Sequence, residues 1–98
     1  MPGVIASIIM SQKGEIIEST MMGDVDSGSL SGTVEKLYSK IFKYVTNLNS
    51  SGKINDILID SKGQGKIFIA NLKDDTIIAV IADASINIGM LKLEIQNI

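Results

Sequence analysis

Apolar and polar positions along the chain follow two alternating periods. Val4-Ile5-Ala6-Ser7-Ile8-Ile9-Met10 is a nearly continuous apolar run rich in β-branched residues, the pattern of a strand buried on both faces. Ser11-Gln12-Lys13-Gly14 then turns the chain, with Gly supplying positive φ, and strand character resumes over residues 15–22. The opening therefore predicts a β-hairpin. Gly23-Asp24-Val25-Asp26-Ser27-Gly28-Ser29 follows, small and polar, suited to accept hydrogen bonds from the free N–H groups of a helix start.

Between residues 30 and 48 the apolar positions are Leu30, Val34, Leu37, Tyr38, Ile41, Val45 and Leu48. This spacing predicts one long helix, stopped by Asn49-Ser50-Ser51-Gly52. Phe42 and Tyr44 widen the apolar arc to roughly 160°, beyond the ~100° stripe that one contact face requires. The excess either covers more core or makes an inter-subunit contact. Lys36, Lys40, Lys43 and Asn47 occupy the opposite side, as a solvated face or as charges that steer an acidic partner.

Three more strands are predicted at residues 54–60, 66–72 and 76–83, joined by turns at Lys62-Gly63-Gln64-Gly65 and Lys73-Asp74-Asp75. The two most apolar runs, 4–10 and 76–83, should be central neighbours in the sheet. Residues 85–98 fit two patterns. Leu91, Leu93 and Ile95 alternate with Lys92, Glu94 and Gln96 as in a strand, yet Ile88, Leu91, Ile95 and Ile98 also form a helical stripe. If helical, Ile86, Met90 and Leu93 make a second stripe roughly opposite the first, and periodicity alone does not decide.

Composition narrows the function. Ninety-eight residues, 45% hydrophobic with net charge −2, are expected to form a single domain over 1–98. A domain this small without staples often gains stability by associating. Cys, His and Trp are absent and all nine basic residues are Lys. That removes disulfides, thiolate nucleophiles, the usual general base and zinc ligand, and the bidentate guanidinium clamp. The acidic balance argues against nucleic acid, and no apolar run reaches a membrane span. A cytoplasmic location is expected, because Met1-Pro2-Gly3 has neither the basic flank of a signal peptide nor the glycine that myristoylation needs.

No catalytic motif emerges, and neither cofactor nor metal is expected. Gly63-Gln64-Gly65-Lys66 lacks the spacing and the following Ser or Thr of a phosphate-binding loop. Asp24, Asp26 and Glu35 match three positions of a calcium loop, but Ser29 stands where its glycine is required, which favours a capped helix start. Asp74-Asp75 reads as a solvated turn rather than a catalytic carboxylate pair. Ser27-Gly28-Ser29 could receive an anion at a helix N-terminus, though capping is the commoner use of such residues.

The order strand-strand-helix-strand-strand-strand-helix, with these strings, resembles the roadblock/dynein light-chain domain. The resemblance rests on the opening hairpin from Val4 to Ser19, the long central helix and Ile57-Leu58-Ile59 before a Gly turn. It also rests on the ending from Ile78-Ala79-Val80-Ile81-Ala82-Asp83 to Asn87-Ile88-Gly89-Met90-Leu91. It implies an α+β fold: a five-stranded antiparallel sheet ordered 2-1-5-4-3, a long central helix on one face and a C-terminal helix on the other. It also tips the 88–98 ambiguity toward helix. Family domains dimerise by pairing their third strands and packing their central helices. The resemblance therefore implies an interface built from Leu37, Tyr38, Ile41, Phe42, Val45, Ile54, Ile57, Leu58 and Ile59. Many members begin with a helix ahead of the first strand, and here that strand starts within a few residues of Met1. Apolar sheet surface and the second stripe of the last helix are accordingly expected to lie open, to be covered by a partner or by oligomerisation.

By the same resemblance the chain is a non-enzymatic homodimeric scaffold that binds or regulates a Ras-like small GTPase. The expected partner contacts are Lys36, Lys40, Lys43, Ile88, Leu91 and Ile95, with a roadblock paralogue as an alternative to self-pairing. Without Arg, no catalytic finger can be supplied in trans. The competing readings are a structural adaptor that bridges roadblock or longin-type subunits without recognising a GTPase, and a small-ligand sensor.

Overall fold

The computed structural model describes residues 3–22, 24–48, 54–63, 65–73 and 75–97. The chain runs β1 (Val4–Ser11), β2 (Ile16–Met21), α1 (Ser27–Leu48), β3 (Asp56–Ser61), β4 (Gly65–Asn71), β5 (Thr76–Ala82) and α2 (Ile88–Gln96). The strands form one antiparallel sheet in the order β2-β1-β5-β4-β3, so the two most apolar runs are central neighbours, as their composition requires. The helix stop at 49–52, Gly23, Gln64 and Asp74 in the expected turns, and Met1-Pro2 lie outside the described residues.

Local chemistry sets the element boundaries. α1 begins at Ser27, three residues ahead of the first periodic apolar position, because Asp26 caps it. Gly28 N donates to Asp26 Oδ1 at 3.1 Å and Ser29 Oγ to Asp26 Oδ2 at 2.8 Å. These bonds hold the Asp26 carboxyl below its ordinary value, the Ser29 hydroxyl contributing most. Segment 88–96 is helical, which resolves its double pattern: Asn87 accepts from Met90 N at 3.1 Å and satisfies an otherwise orphaned N–H.

Each face of the sheet carries its own core. Against α1 lie Ile8, Met10, Ile69, Ile77 and Ala79, closed by Val34 and Tyr38. Against α2 lie Phe68, Ala70, Ile78 and Val80, closed by Leu91 and Ile95. Burying a residue such as Ile8, Ile77 or Val80 completely contributes roughly 1.5–3 kcal/mol relative to leaving it exposed.

Two expectations need correction. β5 is buried on both faces, but β1 alternates, with Ala6, Ile8 and Met10 buried and Ser7 and Ile9 only half-buried. The nine residues of α2 span about 14 Å and sit over β4 and β5, with Val4 and Ile9 of β1 only partly buried at the rim of that core. The hollow beside it is not an apolar expanse either. Ser7, Ile9, Glu18, Ser19 and Thr20 line it, with Ile78 beneath, so four of its five positions on β1 and β2 are polar. Of the second α2 stripe, Met90 and Leu93 are exposed and Ile86 is buried.

Candidate interaction surface

β3 lies at the end of the strand order with β4 as its neighbour. Its sequence, Asp-Ile-Leu-Ile-Asp-Ser, places apolar side chains between two carboxylates. Ile57 and Ile59 pair with Ile69 and Ile67 and so point to the α1 face, whereas Leu58 pairs with Phe68 and points to the α2 face. Leu58 is 45% exposed, and Ile59 is exposed as well. A strand at an edge with a run of branched apolar residues is a template for another strand.

α1 crosses the sheet from one end of the strands to the other. Met22 N bonds Ile5 O at 3.0 Å, which fixes the end of β2 beside the start of β1, and the helix begins five residues later. About three turns on, the Tyr38 hydroxyl donates to Asn71 Oδ1 at 2.9 Å, at the opposite end of the sheet. Asn71 Nδ2 in turn donates to the carbonyl of Ile54. Tyr38 and Ile54 thus form a clamp within the chain, both buried, rather than an outward contact. Tyr38 also stacks on Phe42, ring centroids 6.2 Å apart.

The other interface candidates divide by position on the helix. Leu37, Ile41 and Val45 are half-buried against the α1-side core, and Phe42 is exposed. Sequence reasoning left out two residues. Tyr44 is 71% exposed and Leu48 is 88% exposed, on the helix end where Ile41 and Val45 pack against the α1-side core. The signal for them was present: Leu37, Ile41, Tyr44 and Leu48 step by four, three and four, a heptad-type seam along one flank.

Lys36, Lys40 and Lys43 are exposed on the outer side of α1, and among the described residues none of them joins an ion pair. The ion pair found there links Lys92 Nζ to Asp56 Oδ2 at 3.7 Å, beside a groove of about 570 Å³ lined by residues of α2, β4 and the start of β3. The expected partner contacts on α2 are overturned in part. Leu91 and Ile95 are 3% and 8% exposed because their stripe is the one that docks on Phe68 and Val80, and Ile88 packs partly against the same core.

Asp24, Asp26 and Glu35 do not share a loop. Asp26 caps α1, while Glu35 lies within the helix and accepts from Ser39 Oγ. No group of three or more carboxylates gathers among the described residues. No helix there is long and apolar enough to cross a membrane.

A five-stranded antiparallel sheet in the order 2-1-5-4-3 with two helices is the roadblock/longin type of α+β fold. The Roadblock/LC7 domain family matches residues 1–82, from the start of the chain to the last residue of β5, and the chain belongs to that family. Among solved structures, a Roadblock/LC7 domain from Streptomyces avermitilis superposes with a TM-score of 0.86 at 15% identity, covering 97% of this chain and 78% of that one. Myxococcus xanthus MglB gives 0.83 at 14% identity, covering 96% and 76%. The gliding protein MglB from Thermus thermophilus gives 0.76 at 10% identity, covering 92% and 68%. No curated protein sequence matches the chain.

Proposed function

We propose that residues 1–98 act as one non-enzymatic domain, a homodimeric scaffold that binds or regulates a Ras-like small GTPase. The observation that carries the self-pairing is β3: a regular edge strand carrying Ile57, Leu58 and Ile59 in a row, with Leu58 and Ile59 exposed. Such an edge is stable in water when another strand covers it. The GTPase follows from the resemblance to roadblock domains, and membership of the Roadblock/LC7 family supports it.

The chemistry of the chain limits how it acts. It has no Arg, so faster GTP hydrolysis would come from positioning the GTPase's own residues rather than from a finger supplied in trans. Lys36, Lys40 and Lys43 present positive charge along one side of α1 and raise the encounter rate with an acidic partner surface. The test is a pull-down of small GTPases from the source organism, each loaded with GDP or with a GTP analogue. Capture that depends on the nucleotide supports the proposal. Capture indifferent to nucleotide, or none at all, overturns the GTPase and leaves the adaptor reading.

A further inference from the structure

The carboxylates at the two ends of β3 belong to its free edge. Asn71 N donates to the Asn55 carbonyl at 3.4 Å, which makes residues 55 and 71 a hydrogen-bonded pair of the ladder between β3 and β4. Such pairs alternate with unbonded ones in an antiparallel ladder. Ile57 and Ile59 therefore bond across to Ile69 and Ile67, while Asp56, Leu58 and Asp60 turn their N–H and C=O groups outward. Asp56 and Leu58 stand opposite Ala70 and Phe68, so the side chains of these three residues lie on the α2 face.

When a strand pairs antiparallel with its own copy, the two-fold axis keeps the faces in common and matches outward residues with outward residues. Centred on Leu58, the register pairs Asp56, Leu58 and Asp60 together, and any shift leaves at least one of them unmatched. The same register sets Asp56 of each copy directly opposite Asp60 of the other, Cα atoms about 5.5 Å apart. Like charges placed in this way oppose pairing. The cations that answer them stand on the same face. Lys66 lies opposite Asp60 on β4, with its Nζ held by the Ala84 carbonyl at 3.3 Å. Lys92 of α2 reaches within 3.7 Å of Asp56 Oδ2 and leans over the Phe68 ring, 5.8 Å from its centroid, with 47% of its side chain still exposed.

We propose that Lys92 of each copy bridges its own Asp56 and Asp60 of the other copy, neutralising the like-charge pair at both ends of the joint. This rests on the β3 pairing proposed above. Two such bridges flank the pair of Leu58 side chains that meet on the axis. A register slipped by two residues carries Asp60 about 7 Å along the edge from Lys92, so the bridge also selects the register. In this arrangement α2 does more than seal the Phe68 core: it holds the cation that decides how two copies meet.

A double-mutant cycle on the full chain tests the bridge. Lys92→Met keeps the apolar stem and removes the charge. Because the bridge forms twice, the substitution is expected to raise the dimer dissociation constant about tenfold in sedimentation equilibrium. In an Asp60→Asn chain, the same Lys92→Met change is expected to shift it about twofold or less. Within one chain Asp60 lies about 13 Å along β3 from Asp56, the carboxylate that Lys92 contacts, so coupling between positions 92 and 60 arises across copies. Equal effects in the two backgrounds, or none in either, would show that Lys92 acts only inside its own chain and would overturn the bridge. The β3 pairing stands in that case if Leu58→Lys still dissociates the dimer. A wild-type chain that sediments as a monomer at micromolar concentration overturns both.

Discussion

β2 and β3 each have six residues and each end the same sheet, yet Glu18, Ser19 and Thr20 fill the middle of one and Ile57, Leu58 and Ile59 the middle of the other. Their ladders differ as well. The β1–β2 register slips between Ile9 and Met10, whereas β3 and β4 keep one register from Asp56 opposite Ala70 to Ser61 opposite Gly65. A charge, hydroxyls and an irregular ladder are the usual devices that blunt an edge against further pairing, and β3 has them only at its ends. The contrast is between an edge whose middle is polar and an edge whose middle is apolar, within one sheet and at equal length, with the exposed Ile16 and Ile17 of β2 confined to its turn end.

The largest expected effect comes from placing the same charge on both edges. Leu58→Lys on β3 should weaken self-association about thirtyfold or more, while Ser19→Lys on β2 should change it about twofold or less. Sedimentation equilibrium of both variants reads the comparison directly, and equal effects would break it. A smaller effect is expected at the corner that supports β3. Gly65 has φ +151°, and a Cβ added there would lie 2.9 Å from the Ala82 carbonyl oxygen. Gly65→Ala should cost about 1–3 kcal/mol of stability in urea unfolding. Hydrogen exchange should then show amides of the β3–β4 ladder opening before those of β1–β2.

The smallest effect lies on the β2 side, where Asp26 holds the start of α1. Because hydrogen bonds lower its folded pKa below the ordinary 3.8, its stabilisation is present above that value and is lost as pH falls through the lowered one. The thermal midpoint of Asp26→Ala should therefore lie below that of the wild type near neutrality. The gap should close on acidification below about 3.8, and a gap independent of pH would show that the carboxylate charge plays no part.

The strands, the long helix α1 and the central pairing of β1 with β5 were legible because periods of two and 3.6 residues are written into the sequence, whereas the full strand order and the helix at 88–98 came from the resemblance to roadblock domains. Periodicity shows which side chains share a face, but not what lies opposite that face. α2 has two apolar stripes, and only its docking over β4 and β5 decides that Leu91 and Ile95 are core while Met90 and Leu93 are exposed. The same limit explains Tyr38, whose place in the helical arc is plain but whose hydroxyl is committed to Asn71, thirty-three residues along the chain. Tyr44 and Leu48 were visible as apolar positions. Their exposure depends on which flank of α1 is turned to the sheet, the one carrying Ile41 and Val45, and no single window of sequence contains that choice.

The slip in the β1–β2 ladder sets how far a sheet made from this chain can grow. Pairing through β3 uses the one regular apolar edge that each copy has, and the edges left at the outside are two β2 strands with a bulge beside Glu18. In the language of polymerisation, the proposed pairing gives each copy a valence of one. If that pair forms, extension stops at a joint sheet of twice five strands, and the apolar segment that would otherwise seed a fibril is used up in a finite, closed pair.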